Sequence, residues 1–182
     1  TFARKKHFCS FNGAIKHKRI KFIKFCEEHD LIKDNYVSLV GTYDHGFKTD
    51  EKVNLYTLDK SADEVRADDK SVPLDIMKDS FLNVINETHE DEHVFFTEKT
   101  WKPILYDKIF IVQGSKDTMK FLIDHGFEPY TELYDHEAFD SLPYNERYSA
   151  MWNEIEKLMQ YTPEDWTEIY SKNEMKSKLS HN

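Results

Sequence analysis

The run Ile109-Phe110-Ile111-Val112, ended by Gly114, constrains the fold more than any other stretch of this sequence. Four consecutive apolar residues give a strand no polar side, so a strand here is covered on both faces. Such a strand belongs to a sheet lying between helices, and the flanking sequence supplies both kinds of element. Short apolar runs at His7–Phe11, Val37–Val40 (closed by Gly41) and Phe81–Ile85 predict three further strands. Asn12-Gly13 is expected to break the first of them, and Ile20, Phe22, Ile23 and Cys26 space a helix over residues 15–28. Thr97 is positioned to cap a helix over 98–106, bent or shortened by Pro103, and Ser115 to cap one over 116–125, stopped by Gly126. Tyr148, Met151, Trp152, Ile155, Leu158 and Met159 repeat at helical spacing within 144–161, and Pro163 opens a last helix over 164–179 with Trp166, Ile169 and Tyr170 on one face. Residues 42–72 are polar and acidic and read as a variable loop with one edge strand near Val53–Leu58. Strand alternating with helix predicts an α/β fold, a Rossmann-like parallel sheet with helices on both faces. On this reading residues 1–143 form the sheet domain, and residues 144–182 are a helical C-terminal segment packed on the same domain.

Composition narrows the class. Of 182 residues, 39% are hydrophobic and 14% aromatic, too many for a disordered tail. No run approaches 18 apolar residues, so no membrane span is expected, and TFARKKHFCSF holds no apolar stretch long enough for a signal peptide. Cys9 and Cys26 sit among apolar residues and read as reduced, buried thiols, which predicts a cytoplasmic setting. The net charge is -9, yet residues 1–24 hold 8 Lys+Arg and no acid. An acidic chain with one basic edge argues against coating a nucleic-acid duplex, but it can concentrate positive charge where a small polyanion sits.

In parallel sheets ligands bind beyond the carboxyl ends of the strands, so the strand-to-helix junctions are the places to look. At the first, Ser10 and Asn12 precede a helix start bearing Lys16, Lys18 and Arg19, which could hold a phosphate or be a solvated basic face. At the second, Asn86 and Glu87 follow a strand, and Thr97, Glu98 and Lys99 open a helix. Glu98 could accept bonds from sugar hydroxyls with Lys99 on a phosphate, and ordinary capping would explain the same residues. The third, Gly114-Ser115, is a common α/β turn. The loop THEDEH (88–93) carries two histidines four apart but no apolar helical stripe, and reads as a solvated loop rather than a metal site. Trp101, Trp152 and Trp166 read as core or groove packing.

Four segments together carry a resemblance: FCSFNGAIKHKRIKF at 8–22, FLNVINET at 81–88, FFTEKTWKPILYDKIFIVQGS at 95–115 and the following FLIDHGFEPY. In order and spacing they resemble the donor-binding half of fucosyltransferase-like enzymes of glycosyltransferase family 10, in a branch common in viruses and bacteria. The resemblance implies half of a GT-B architecture and an inverting glycosyltransferase that needs no obligatory metal or cofactor. It implies a nucleotide-diphospho-sugar donor, GDP-fucose-like, and an acceptor hydroxyl, most simply on a glycan; a viral source would make the setting host cytoplasm. It further implies that the residue matching Arg19 contacts the donor diphosphate. Those matching Glu98 and Lys99 would contact the nucleotide-sugar, and Asn86 and Glu87 would line the same pocket. The family's general base belongs to the acceptor half, so none is assigned here. A non-catalytic nucleotide-sugar-binding or interaction module of the same fold is the alternative.

Overall fold

The structure is a computed structural model describing residues 4–42, 49, 51–58, 74–89, 93–127, 130 and 132–179, with the side chains of 42 and 173–179 excepted. Its described strands are β1 (Lys6–Ala14), β2 (Tyr36–Thr42), β3 (Ser80–Asn86) and β4 (Ile109–Gln113). They make a four-stranded parallel sheet in the order β2-β1-β3-β4, flanked by helices, which is the Rossmann-like α/β class expected. The described helices are α1 (His17–Glu28), α2 (Leu74–Asp79), α3 (Glu98–Leu105), α4 (Thr118–Asp124), α5 (Glu137–Asp140), α6 (Tyr144–Leu158) and α7 (Pro163–Leu179). No described helix is long and apolar enough to cross a membrane. The chain divides into two compact units, residues 1–86 and 87–182.

In the first unit β1 is central. It pairs with β2 in the register Cys9↔Tyr36 through Asn12↔Leu39, and with β3 at Lys6↔Ser80 and Cys9↔Asn83. Asn12-Gly13 does not end β1, as the sequence suggested; the strand continues to Ala14, and the irregularity appears as a register shift between Asn12 and Ala14. Helix α1 buries Ile20, Phe22, Ile23 and Cys26 against this layer, with Phe8 and Phe22 edge to face at 6.3 Å between centroids. The edge strand expected near Val53–Leu58 reduces to one antiparallel bridge, Leu39↔Tyr56. Helix α2 was not legible: six residues with a single buried side chain, Met77, give no periodicity to read.

In the second unit all five residues of β4 are buried, as its apolar run requires. Helix α6 buries Tyr148, Met151, Ile155 and Leu158, and α7 buries Trp166 and Tyr170. Trp152 is half-buried, and Trp101 is exposed on α3 rather than packed away. Ser115 does not cap the helix that follows. Its hydroxyl donates to the His93 carbonyl at 2.9 Å, and α4 begins at Thr118 after Asp117, whose φ is 60°. The cap comes from elsewhere in the sequence: the Asp140 carboxylate accepts the Met119 and Lys120 N–H groups, each at 2.9 Å. A carboxylate twenty residues away cannot be found by reading local spacing.

Candidate functional site

From β1 the chain moves first to β2 on one side and later to β3 on the other, so the topological switch point lies between β1 and β3. Both strands belong to the first unit, and four of the predicted residues meet at their carboxyl ends. Asn86, the last residue of β3, donates from Nδ2 to Asn12 Oδ1 at 3.1 Å and to Ser10 Oγ at 3.4 Å. Asn12 Nδ2 donates to the same Ser10 Oγ at 3.1 Å, and the Asn12 N–H to Ser38 Oγ of β2 at 3.1 Å. Arg19, in the first turn of α1, donates from Nη1 to the Ala14 carbonyl at 3.0 Å and from Nη2 to the Asn86 carbonyl at 3.3 Å. The guanidinium therefore ties the end of β1 to the end of β3. None of Ser10, Asn12, Arg19 and Asn86 is more than 2% exposed. Lys18 is buried as well, so the start of α1 is not the solvated basic face that charge alone allowed. Asn86 Oδ1 is buried with no hydrogen-bond partner among the described residues. Lys16 is half-buried at the N-cap of α1, in extended backbone, and its side chain makes no cap.

The other predicted residues lie in the second unit, around the start of α3. Thr97 caps that helix as expected, its hydroxyl accepting the Lys99 N–H at 3.2 Å. The sequence did not disclose what holds Thr97. Glu87, fully buried, accepts the Thr97 N–H at 2.9 Å, the Thr97 hydroxyl at 2.6 Å and the Thr100 hydroxyl. Its two oxygens are thus engaged with the helix start, and both threonines are fixed by one anion. Glu98 and Lys99 pair with each other at 2.6 Å and remain partly open, at 46% and 21% side-chain exposure. Partial burial works to raise the Glu98 pKa, but the bond and charge of Lys99 outweigh it and hold the carboxyl below its ordinary value. The outcome is an ionised carboxylate beside an ammonium at a helix N-terminus, a place that can meet hydroxyls with one group and an anion with the other.

The third junction holds residues that spacing did not single out. Arg147 of α6 reaches the Gly114 carbonyl with Nη1 at 2.6 Å and the Leu142 carbonyl with Nε and Nη2. Gly114 is required there, because a Cβ would stand 2.7 Å from Thr118 Oγ1. Gln113, 2% exposed, has neither amide atom hydrogen-bonded among the described residues. A separate cleft of about 350 Å³ is lined by Glu132, Asp165, Glu168 and Lys172 among others and contains none of the predicted residues. Three of its polar groups are already engaged: Glu168 pairs with Lys172, and Asp165 accepts the Thr162 N–H and hydroxyl.

Of the THEDEH loop, Glu90–Glu92 lie outside the described residues; His89 packs edge-on against Phe95, and His93 offers its carbonyl to Ser115. Among the described residues no three potential metal ligands gather. The chain matches no protein-family model, no curated protein and no solved structure.

Proposed function

We propose that this chain is the donor-binding domain of an inverting glycosyltransferase that takes a nucleotide-diphospho-sugar, GDP-fucose-like, for transfer to an acceptor hydroxyl. The observation that carries this reading is the meeting of Ser10, Asn12, Arg19 and Asn86 at the switch point between β1 and β3. These residues are up to 76 positions apart in sequence. They gather where parallel α/β sheets bind ligands. The ordered resemblance of the four segments supplies the ligand class.

The chemistry follows from what transfer needs. Departure of a nucleoside diphosphate develops negative charge, which oriented N–H groups and cations stabilise. On this reading Lys16 meets the departing charge at the switch point of the first unit; for Glu98 and Lys99, in the second unit, the resemblance supplies the roles of orienting sugar hydroxyls and meeting an anion. Ser10, Asn12, Asn86 and Arg19 give the switch point its shape from beneath. Arg19 then works by holding two strand ends in place more than by direct contact, and Glu87 by fixing the helix that carries Glu98 and Lys99. The base that takes the acceptor proton is not among these residues.

The burial of five of the nine predicted residues favours one second reading, a non-catalytic module of the same fold in which the polar cluster is scaffold. Titration calorimetry with GDP, UDP and GDP-fucose, followed by an assay for released nucleotide, separates the two. The transferase reading expects GDP to bind, Lys16→Ala and Lys99→Ala each to weaken it about tenfold, and turnover in the presence of an acceptor. Absence of binding at millimolar nucleotide removes both nucleotide-based readings. Binding without turnover leaves the second.

A further inference from the structure

We propose that the aromatic face formed by α3 and α4 is the contact surface between two copies of this chain. Four rings link the two helices within the second unit. Phe96 lies 5.5 Å from Trp101 and 5.6 Å from Phe121, and Trp101 lies 6.2 Å from Phe127, between centroids. Leu105 sits one helical turn beyond Trp101 on the same side of α3. Trp101 is 40% exposed, Leu105 75% and Phe121 39%, whereas Phe96 and Phe127 are half-buried. A core-facing stripe would not leave these side chains in water, and contiguous patches of this kind mark contact sites.

Size and charge point to a second copy as the occupant. With aromatic side chains at roughly 150–250 Å² apiece, the open apolar area is on the order of 400 Å². A standard interface buries about 800 Å² per partner, of which some 450–500 Å² is apolar, so one such face meeting itself supplies the apolar part of a stable dimer. Residues 98–124 carry five basic and four acidic residues, whereas residues 87–182 as a whole carry 10 and 20. The stretch that carries most of the patch is thus close to neutral within a strongly acidic unit. Two identical acidic molecules can meet there without the repulsion they feel elsewhere, and a rim bearing both signs can match itself across a two-fold axis. An oppositely charged partner would call for a rim of one sign.

Sedimentation velocity on the full chain, over about 1–200 µM and at low and high NaCl, tests this. The expected result is a monomer–dimer equilibrium that tightens with salt, because salt screens repulsion between like-charged copies and spares apolar contact. Leu105→Asp and Trp101→Asp should each raise the dissociation constant at least tenfold while circular dichroism stays unchanged. Leu105 is the more exposed, so its variant decides the matter if Trp101→Asp perturbs folding. A chain that stays monomeric at the highest concentration at both salts overturns the proposal. So does a dimer that loosens with salt, or one that Leu105→Asp leaves intact.

Discussion

Two buried polar side chains in the second unit carry opposite expectations. Glu87 accepts four hydrogen bonds, three from Thr97 and Thr100 and one from the Thr88 N–H, so each of its lone-pair directions matters. Glu87→Gln would turn one acceptor into an NH₂ group facing a donor, and removes the charge that strengthens the bonds. Hydrogen bonds to charged groups contribute about 1.5–3 kcal/mol, so the variant should lose roughly 2–3 kcal/mol in urea unfolding. Gln113 is equally buried but has both amide atoms without partners among the described residues. Replacing it with methionine of similar length removes a desolvation cost and gives up no hydrogen bond, so Gln113→Met should be neutral or gain about 1–2 kcal/mol. A loss of that size would mean the amide has a bond the structure does not contain. From sequence Glu87 was a candidate site residue and Gln113 was not, and nothing local showed which of the two would be hydrogen-bonded. The difference lies in whether Thr97 and Thr100, ten and more positions away, turn their hydroxyls toward the strand end. That is a tertiary fact with no local trace.

Three helices end in the same manner. Each of α1, α3 and α4 closes with paired backbone bonds back to its last turn: Leu31 N–H to Cys26 O and Asp30 N–H to Glu27 O, Lys108 to Pro103 and Asp107 to Ile104, Phe127 to Leu122 and Gly126 to Ile123. These are Schellman caps, which place one residue in the left-handed region. At α4 that residue is Gly126, with φ +88°; at α1 and α3 it is Asp30 and Asp107, with φ 55° and 49°. An aspartate there carries the left-handed penalty of a Cβ and sets a negative charge against the negative end of the helix dipole. Asp30→Gly and Asp107→Gly should each raise stability by about 1 kcal/mol, and the two should add, since the two caps share no hydrogen-bond partner. Thermal unfolding of the single and double variants checks both statements, and a fall in Tm for either single variant would contradict this account of its cap. These caps also explain which boundaries sequence could give. The stop at Gly126 was legible because glycine announces the left-handed residue. The stops after α1 and α3 were placed too, at 28 and 106 against Glu28 and Leu105, but nothing local showed that an aspartate takes the left-handed position in each cap. The strands of the sheet were legible from apolar runs alone, whereas the carbonyl clamp by Arg19 and the distant Asp140 cap were not, since both depend on the fold to bring the partners together.

The charge map of the whole molecule gives its acid response a definite sign. Residues 1–86 hold 15 basic and 14 acidic residues, and residues 87–182 hold 10 and 20, so carboxylates dominate the second unit while the first is close to balanced. In the first unit burial pushes the His7 imidazole below its ordinary 6.5, and Asp34 only partly opposes it. Its Nδ1 is buried and has no hydrogen-bond partner among the described residues. A histidine whose folded pKa is depressed takes up its proton more readily when unfolded. Stability from His7 is therefore full above pH 6.5 and is lost as pH falls through the lowered folded value. In the second unit Glu98 is held below 4.5, and its contribution disappears only on further acidification. Asp140 acts in the other direction: burial raises it more than the Met119 and Lys120 amides lower it, so its protonation favours the folded state as pH drops toward 3.8. Between about pH 7.5 and 5.5 the depressed carboxyl of Glu98 keeps its charge in both states, and His7 contributes a fall in stability as its unfolded form takes up a proton. Urea unfolding across that window should show stability falling with pH, and His7→Gln should flatten the curve while leaving the decline below pH 4.5 in place. A wild-type profile that is flat or rising on acidification from 7.5 to 5.5 would show that the imidazole is not held neutral by its surroundings.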